Sequence, residues 1–204
     1  MFLDGLCFIT NRKNNNLTCE EMVKRALNAG VRWIQYREKE KTRREIYNIS
    51  VRLRKITQAF NAVFIVNDHT DIAYAVNADG VHLGQEDLPL IEARKIIGDK
   101  KIIGISTHTF KEALDAENGG ADYIGFGPIF HTTTKEAGIP KGTEILQELK
   151  SKIKIPVVAI GGITLENIQS VIKTGVDAVA VSSAIISGDI ENNVKAFYEY
   201  ITAN

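Results

Sequence analysis

Eight short apolar runs divide the chain, at residues 6–10, 33–37, 63–67, 80–83, 102–106, 123–127, 157–161 and 178–183. Each is too short for a helix and rich in Val, Ile, Leu and Ala on consecutive positions, the pattern of a strand covered on both faces. The segments that follow them, 19–29, 43–60, 71–76, 89–97, 110–118, 143–152, 165–173 and 190–201, carry apolar residues at helical spacing. Strand and helix therefore alternate eight times. Dividing 204 residues by eight gives about 25 per unit, which matches a minimal α/β (β/α)8 TIM barrel; an open doubly wound sheet is the alternative architecture.

An internal repeat points the same way. Asn28-Ala-Gly-Val-Arg-Trp-Ile, Asn77-Ala-Asp-Gly-Val-His-Leu, Asn118-Gly-Gly-Ala-Asp-Tyr-Ile and Lys173-Thr-Gly-Val-Asp-Ala-Val each read as a helix end, a small turn and a strand. Their first residues are 49 (77−28), 41 (118−77) and 55 (173−118) positions apart, two units each time. Gly30, Gly120 and Gly175 are expected to end helices in the left-handed region. With no linker or low-complexity tract, residues 1–204 read as a single barrel domain. The longest non-periodic segment, 128–142, is polar and is expected to serve function.

Composition narrows the partners. Lys+Arg 25 balance Asp+Glu 25, a formal net charge of +0, so no overall field favours nucleic acid or a membrane surface. Small-molecule ligands, bound locally, are expected instead. Cys7 and Cys19 form neither a CxxC pair nor a zinc framework. Met1-Phe-Leu-Asp-Gly-Leu has neither the charged stretch nor the long apolar core of a signal peptide, and the expected location is cytoplasmic.

Candidate chemistry collects at the strand ends, which in a parallel barrel share one edge. Asn67-Asp68 follows the third strand and the Gly84–Asp87 loop the fourth. Two aspartates at one cleft repel unless a divalent cation lies between them, and Mg²⁺ bridging to a phosphate is the first reading. The spacing equally allows Asp68 to cap a helix and Asp87 to occupy a turn. After strand two, Gln35 and Arg37 share a face and Lys39 can continue toward it, which suits a diphosphate; a solvated basic turn extended by Lys41, Arg43 and Arg44 is the alternative. Gly161-Gly162 and Ser182-Ser183 are placed for the phosphate site after strands seven and eight; a tight turn is the alternative reading of the glycine pair. Of four histidines, His82 reads as a barrel-interior residue, His69 and His131 as loop residues, and His108 as a strand-end group that could titrate. None has zinc-ligand spacing, and no Ser-His-Asp order is present.

Taken together, Gln35-Tyr-Arg-Glu-Lys39, Asn67-Asp68, Ala78-Asp-Gly-Val-His-Leu-Gly-Gln-Glu-Asp87, Gly104-Ile-Ser-Thr-His108, Gly125-Phe-Gly-Pro-Ile-Phe130 with Thr132-Thr-Thr-Lys135, and Ala159-Ile-Gly-Gly-Ile163 resemble the motifs of the thiamine-phosphate synthase family over nearly the whole chain. The resemblance implies a (β/α)8 transferase that joins a hydroxymethylpyrimidine diphosphate to a thiazole phosphate and releases diphosphate, through a pyrimidine cation. It implies that the run Gln35, Tyr36, Arg37, Glu38 and Lys39, with Asn67, Ser106 and Lys135, holds the pyrimidine diphosphate, that Arg37, Lys39, Ser106 and Lys135 act catalytically, and that Asp68 and Asp87 hold Mg²⁺. Thr132, Thr133 and Thr134, with Gly162, Ser182 and Ser183, are implied for the thiazole phosphate. His69 stands where the family often has arginine and His131 where it often has proline. Two rivals compete: the related thiazole tautomerase, which would use His108, and a non-catalytic phosphate-binding barrel. The joint presence of Asn67, Asp68, Asp87 and Lys135 favours the synthase.

Overall fold

The apolar runs become eight parallel strands: β1 (Gly5–Ile9), β2 (Trp33–Tyr36), β3 (Val63–Asn67), β4 (Gly80–Leu83), β5 (Ile102–Thr107), β6 (Tyr123–Phe126), β7 (Val157–Ile160) and β8 (Ala178–Val181). They hydrogen-bond in chain order, and β8 pairs back onto β1 from Gly5↔Ala178 to Phe8↔Val181, so the sheet closes and the open-sheet alternative is excluded. The computed structural model describes residues 5–11, 17–132 and 138–202. Around the barrel lie α1 (Cys19–Asn28), α2 (Arg43–Ala59), α3 (Thr70–Ala75), α4 (Leu90–Ile97), α5 (Phe110–Asn118), α6 (Glu144–Lys152), α7 (Ile168–Ile172), α8 (Ser183–Ile186) and α9 (Ile190–Thr202). None of the described helices is long and apolar enough to cross a membrane.

Local chemistry explains where the helices start. Thr18 and Thr42 each accept the N–H of the glutamate three residues on, and Glu21 and Glu45 return a bond to the cap backbone, two complete capping boxes. Thr109 caps α5 through the Glu112 N–H. Strand alternation then splits the core in two. Leu6, Phe8, Ile34, Phe64, Val81 and Ile124 face the helices, whereas Cys7, Ile9, Trp33, Ile65, Tyr123 and Val158 fill the barrel interior. The inward rows turn polar toward the carboxyl edge, where Gln35, Asn67 and His82 are buried.

The repeat has a physical basis at the amino edge, with one correction of register. Gly30, Gly120 and Gly175 have φ of +114°, +87° and +79°, and Asn77, at +52°, is itself the left-handed residue of the second copy. The copies therefore align on Gly30, Asn77, Gly120 and Gly175, 47 (77−30), 43 (120−77) and 55 (175−120) positions apart. Two residues later come Asp79, Asp122 and Asp177. Each carboxylate accepts the N–H near the start of the preceding strand, from Phe64, Ile103 and Val157 at 2.8, 2.7 and 2.7 Å. Each also pairs with a cation on the helix before that strand, Arg54, Arg94 and Lys150 at 2.7, 2.7 and 2.6 Å. Arg32 holds the equivalent place in the first copy and donates to the carbonyls of Leu27 and Val31.

Two expected elements are shorter. Residues 165–167 are not helical, because Asn167 closes a turn with Thr164 through its side chain and its N–H. The run 178–183 stops being a strand at Val181, and Ser183 opens the short helix α8.

Candidate active site

A cavity of about 830 Å³ opens at the carboxyl edge of the barrel. On the β2–β4 side a hydrogen-bonded row organises its wall. Gln35 Nε2 donates to Asn67 Oδ1 at 2.7 Å, Asn67 Nδ2 donates to Asp68 Oδ1, and Lys39 Nζ closes on Asp68 Oδ2 at 2.5 Å. The buried Gln35 thereby fixes which end of the Asn67 amide faces Asp68. Asp68 sits at φ +65°, in the left-handed region that aspartate tolerates better than most side chains. Helix α3 instead has His69 at its cap position, without a side-chain bond, so Asp68 is not a cap.

Asp87 completes the cluster and also shapes a turn, accepting the Gly84 N–H at 2.7 Å. The two carboxyls are close enough to hydrogen-bond each other. Burial pushes Asp68 up, but the Lys39 bond and charge, with bonds from Asp87 and Asn67, outweigh it and hold the group below the usual aspartate range. Burial raises Asp87, the Gly84 N–H opposes, and the Asp68 charge adds to the rise. Adjacent carboxyls pushed apart in this way share a proton or take up a cation. Among the described residues no group of three or more His, Cys, Asp or Glu forms a closed metal site. Two aspartates open to a cavity suit Mg²⁺, which keeps waters and phosphate oxygens among its ligands.

The basic run after β2 divides by role. Arg37 and Lys39 line the cavity, and the Arg37 guanidinium makes no hydrogen bond or ion pair with the described residues. Lys41 and Arg43 turn to the surface pairs with Glu45 and Asp71.

Across the mouth, the β7 and β8 loops form a second anion-ready wall. Gly161 and Gly162 have φ of +98° and +67°. A Cβ on Gly162 would lie 2.4 Å from the His131 carbonyl, so the pair also seats the start of the β6 loop, where Ile129 and Phe130 donate to Ile160 and Gly161 at 2.9 and 3.0 Å. Ser182, Ser183 and Gly162 line the cavity, and Ser182 Oγ is buried with no hydrogen-bond partner among the described residues. A buried orphan hydroxyl on a cavity wall is what a bound ligand would satisfy.

A family-wide sequence profile described as thiamine monophosphate synthase matches residues 6–185. The chain belongs to the thiamine monophosphate synthase family. Its relatives include the thiamine-phosphate synthase of Clostridium novyi, 48% identical over 186 residues (90% of this chain, 91% of that one). That of Clostridium acetobutylicum is 44% identical over 183 residues (89% and 87%). Among solved structures, the thiamine phosphate pyrophosphorylase of Pyrococcus furiosus superposes with a TM-score of 0.90 at 40% identity, covering 98% of this chain and 96% of that one.

Of the residues expected to contact ligand in a thiamine monophosphate synthase family member, Gln35, Arg37, Lys39, Asn67, Ser106 and Thr132 line this one cavity together with Asp68, Asp87, Gly162, Ser182 and Ser183. Thr133, Thr134 and Lys135 lie outside the described residues. Two residues take other places. Tyr36 is buried in the outer core, because alternation turns it away from Gln35 and Arg37. Glu38 accepts the N–H of Lys39 and Glu40 and so shapes the turn that presents Lys39.

Of the two departures from the family pattern, His131 lines the cavity and His69 does not. His108 also lines it, with Nδ1 on the Gly127 carbonyl at 2.6 Å. Sequence reasoning missed Thr10, whose Oγ1 accepts the Arg37 N–H at 3.1 Å, and Gln85, which donates to the Ser106 carbonyl at 2.6 Å. The signal for Thr10 was its place as the polar end of the first apolar run, at the same carboxyl edge as Arg37.

Proposed function

We propose that this protein is a Mg²⁺-dependent transferase that couples a pyrimidine methylene diphosphate to a thiazole phosphate, giving thiamine phosphate and diphosphate. One observation carries the reading: a single cavity has two separate anion-handling walls, the Arg37–Lys39–Asp68–Asp87 cluster on one side and Gly162–Ser182–Ser183 on the other. One phosphorylated substrate needs one wall; joining two needs both.

The chemistry required is modest. The bond from the pyrimidine methylene to the diphosphate oxygen breaks with its electron pair leaving on diphosphate, and the thiazole nitrogen then supplies the pair for the new carbon–nitrogen bond. No protein nucleophile is involved. Arg37 and Lys39 stabilise the growing leaving-group charge, and the two walls hold the partners in line. Asp68 and Asp87 are the residues that would hold Mg²⁺, whose contribution is further charge neutralisation at the diphosphate. Lys135 is assigned to the same diphosphate by the family resemblance. Buried Cys7 and Cys19, neither in a disulfide, suit a reducing, cytoplasmic setting, and burial pushes the Cys7 thiol well above its ordinary range, which keeps it inert.

A specific feature supports a second reading, thiazole tautomerisation. A carbonyl only accepts, so the Gly127 bond puts the His108 proton on Nδ1 and leaves Nε2 as a base. Mixing both phosphorylated substrates with Mg²⁺, and following thiamine phosphate and thiazole isomerisation together, separates the two. Coupling by the parent, depressed in kcat far more by Lys135→Ala than by His108→Ala, supports the synthase. Isomerisation without coupling, lost only in His108→Ala, would establish the tautomerase. Neither activity would leave a phosphate-binding barrel.

A further inference from the structure

Beneath the cavity a hydrogen-bonded row crosses three strands. Tyr123 of β6 bonds through its hydroxyl to His82 Nδ1 at 2.8 Å, and His82 Nε2, on β4, reaches the Oγ of Ser106, on the intervening β5, at 2.9 Å. Tyr123 and His82 are 1% and 6% exposed, whereas Ser106 is half-buried at the cavity wall. The strands make room for these rings. A Cβ on Gly104 would lie 2.0 Å from the Tyr123 ring, and one on Gly125 would lie 3.2 Å from His82 Cε1. Trp33 packs edge-on to Tyr123, with ring centres 5.1 Å apart, and fixes the phenol from the far side. Glycine inside a strand weakens it, so two such positions beside one pair of rings mark a tightly fitted unit.

The direction of each hydrogen bond follows from the buried end. Burial pushes the Tyr123 phenol well above its ordinary range, so the hydroxyl keeps its proton. A buried O–H without an acceptor is costly, and the acceptor in place among the described residues is His82 Nδ1. The imidazole proton then resides on Nε2 and is donated to Ser106 Oγ. A serine hydroxyl that accepts from behind keeps its own proton for the opposite side. The other tautomer would strand the phenolic proton, draw the serine proton back to Nε2 and present oxygen lone pairs to the cavity, which repel an anion.

We propose that Tyr123 and His82 are positioning residues for the coupling reaction: the relay Tyr123→His82→Ser106 sets the Ser106 hydroxyl as a donor into the cavity, matched to an oxygen of the departing diphosphate. The ligand in this statement rests on the proposed function; the tautomer does not.

The test has two independent parts. In protein labelled with ¹⁵N-histidine, with His82 identified by its loss in His82→Gln, the long-range ¹H–¹⁵N pattern of the parent should show the proton on Nε2. Tyr123→Phe keeps the ring packing and should bring an Nδ1–H population into view. The same variant should lower kcat by about tenfold with the thiazole phosphate KM unchanged, against roughly 10²-fold for Ser106→Ala, which removes the donor outright. Adding Tyr123→Phe to Ser106→Ala should cost nothing further, since the relay acts through that hydroxyl. His82→Gln, which keeps an amide donor, should be more active than His82→Leu. A parent with His82 protonated on Nδ1, or an equal cost of Tyr123→Phe with and without Ser106, would overturn the relay. Undiminished turnover in Ser106→Ala, with the Nε2 proton confirmed, would overturn its catalytic role and place the failure in the substrate reading.

Discussion

Adding one methyl group to Gly162 tests the assignment of the second anion wall and its mechanical setting together. The residue has φ +67°, a region that costs an L-side chain about 1–2 kcal/mol. Its new Cβ would sit 2.4 Å from the His131 carbonyl oxygen and 2.8 Å from Phe130 Cβ. Those neighbours cannot simply withdraw, because the Ile129 and Phe130 N–H groups are tied to Ile160 and Gly161. Overpacking of this kind costs about 1–3 kcal/mol more. The sum, about 2–5 kcal/mol, is below the 5–15 kcal/mol or so of a typical domain, so Gly162→Ala should fold at 25 °C. At roughly 2–4 °C per kcal/mol for this size, the melting midpoint should fall by about 4–20 °C. Scanning calorimetry reads that quantity, and steady-state kinetics with each substrate varied in turn reads the other half. KM for the thiazole phosphate should rise at least tenfold while KM for the pyrimidine diphosphate stays within about twofold. A lowered midpoint with both KM values unchanged would refute the cradle, and an unchanged midpoint would refute the steric reasoning.

Three further outcomes are expected. Asp68→Ala and Asp87→Ala should each lose Mg²⁺-dependent turnover while retaining the parent's circular dichroism, and activity of the parent undiminished by a chelator would remove the metal assignment. Asp87→Asn keeps an acceptor for the Gly84 N–H but removes the charge facing Asp68; because the Asp87 carboxyl is raised, its ionisation opposes folding above the ordinary carboxylate range. In chelator that variant should therefore melt higher than the parent at neutral pH, with the gain vanishing as pH falls through that range. Asp122→Ala removes the acceptor of the Ile103 N–H and the Arg94 pair far from the cavity, and should cost about 1–3 kcal/mol by urea denaturation with kcat and both KM values unchanged.

The barrel was legible in the sequence because each strand is covered on both faces and so appears as an unbroken apolar run, and because Gly30, Gly120 and Gly175 punctuate the helix ends. The failures are local competitions. Asn77 concealed the register of the repeat, since it occupies by side-chain chemistry a conformation that glycine holds elsewhere. Ser182 and Ser183 are both good cap residues by type, but Ser182 caps α8 without a side-chain bond and the run resumes at once with Ala184-Ile185-Ile186, so the end of β8 and the start of α8 could not be separated. At the site, alternation placed Gln35 and Arg37 inward, yet the same rule, applied to Tyr36, sends it to the outer core. The Tyr123–His82–Ser106 row could not be read at all, because it depends on the relative stagger of β4, β5 and β6, which no single strand's pattern contains.

The three carboxylate ties at the amino edge partition the chain. Each joins a helix, the strand after it and the start of the next strand, so after β1-α1-β2 the barrel is built from three stapled modules, α2-β3-α3-β4, α4-β5-α5-β6 and α6-β7-α7-β8. The joints entering them are the connections β2–α2, β4–α4 and β6–α6. These joints carry Lys39, Asp87 and, by sequence, Lys135. Lys39, Asp87 and Lys135 thus sit in segments whose length and conformation can change without untying any staple, while Asn67, Asp68 and Ser106 are held inside the modules, which is how a small barrel can alter its chemistry at one rim while the opposite rim keeps it closed.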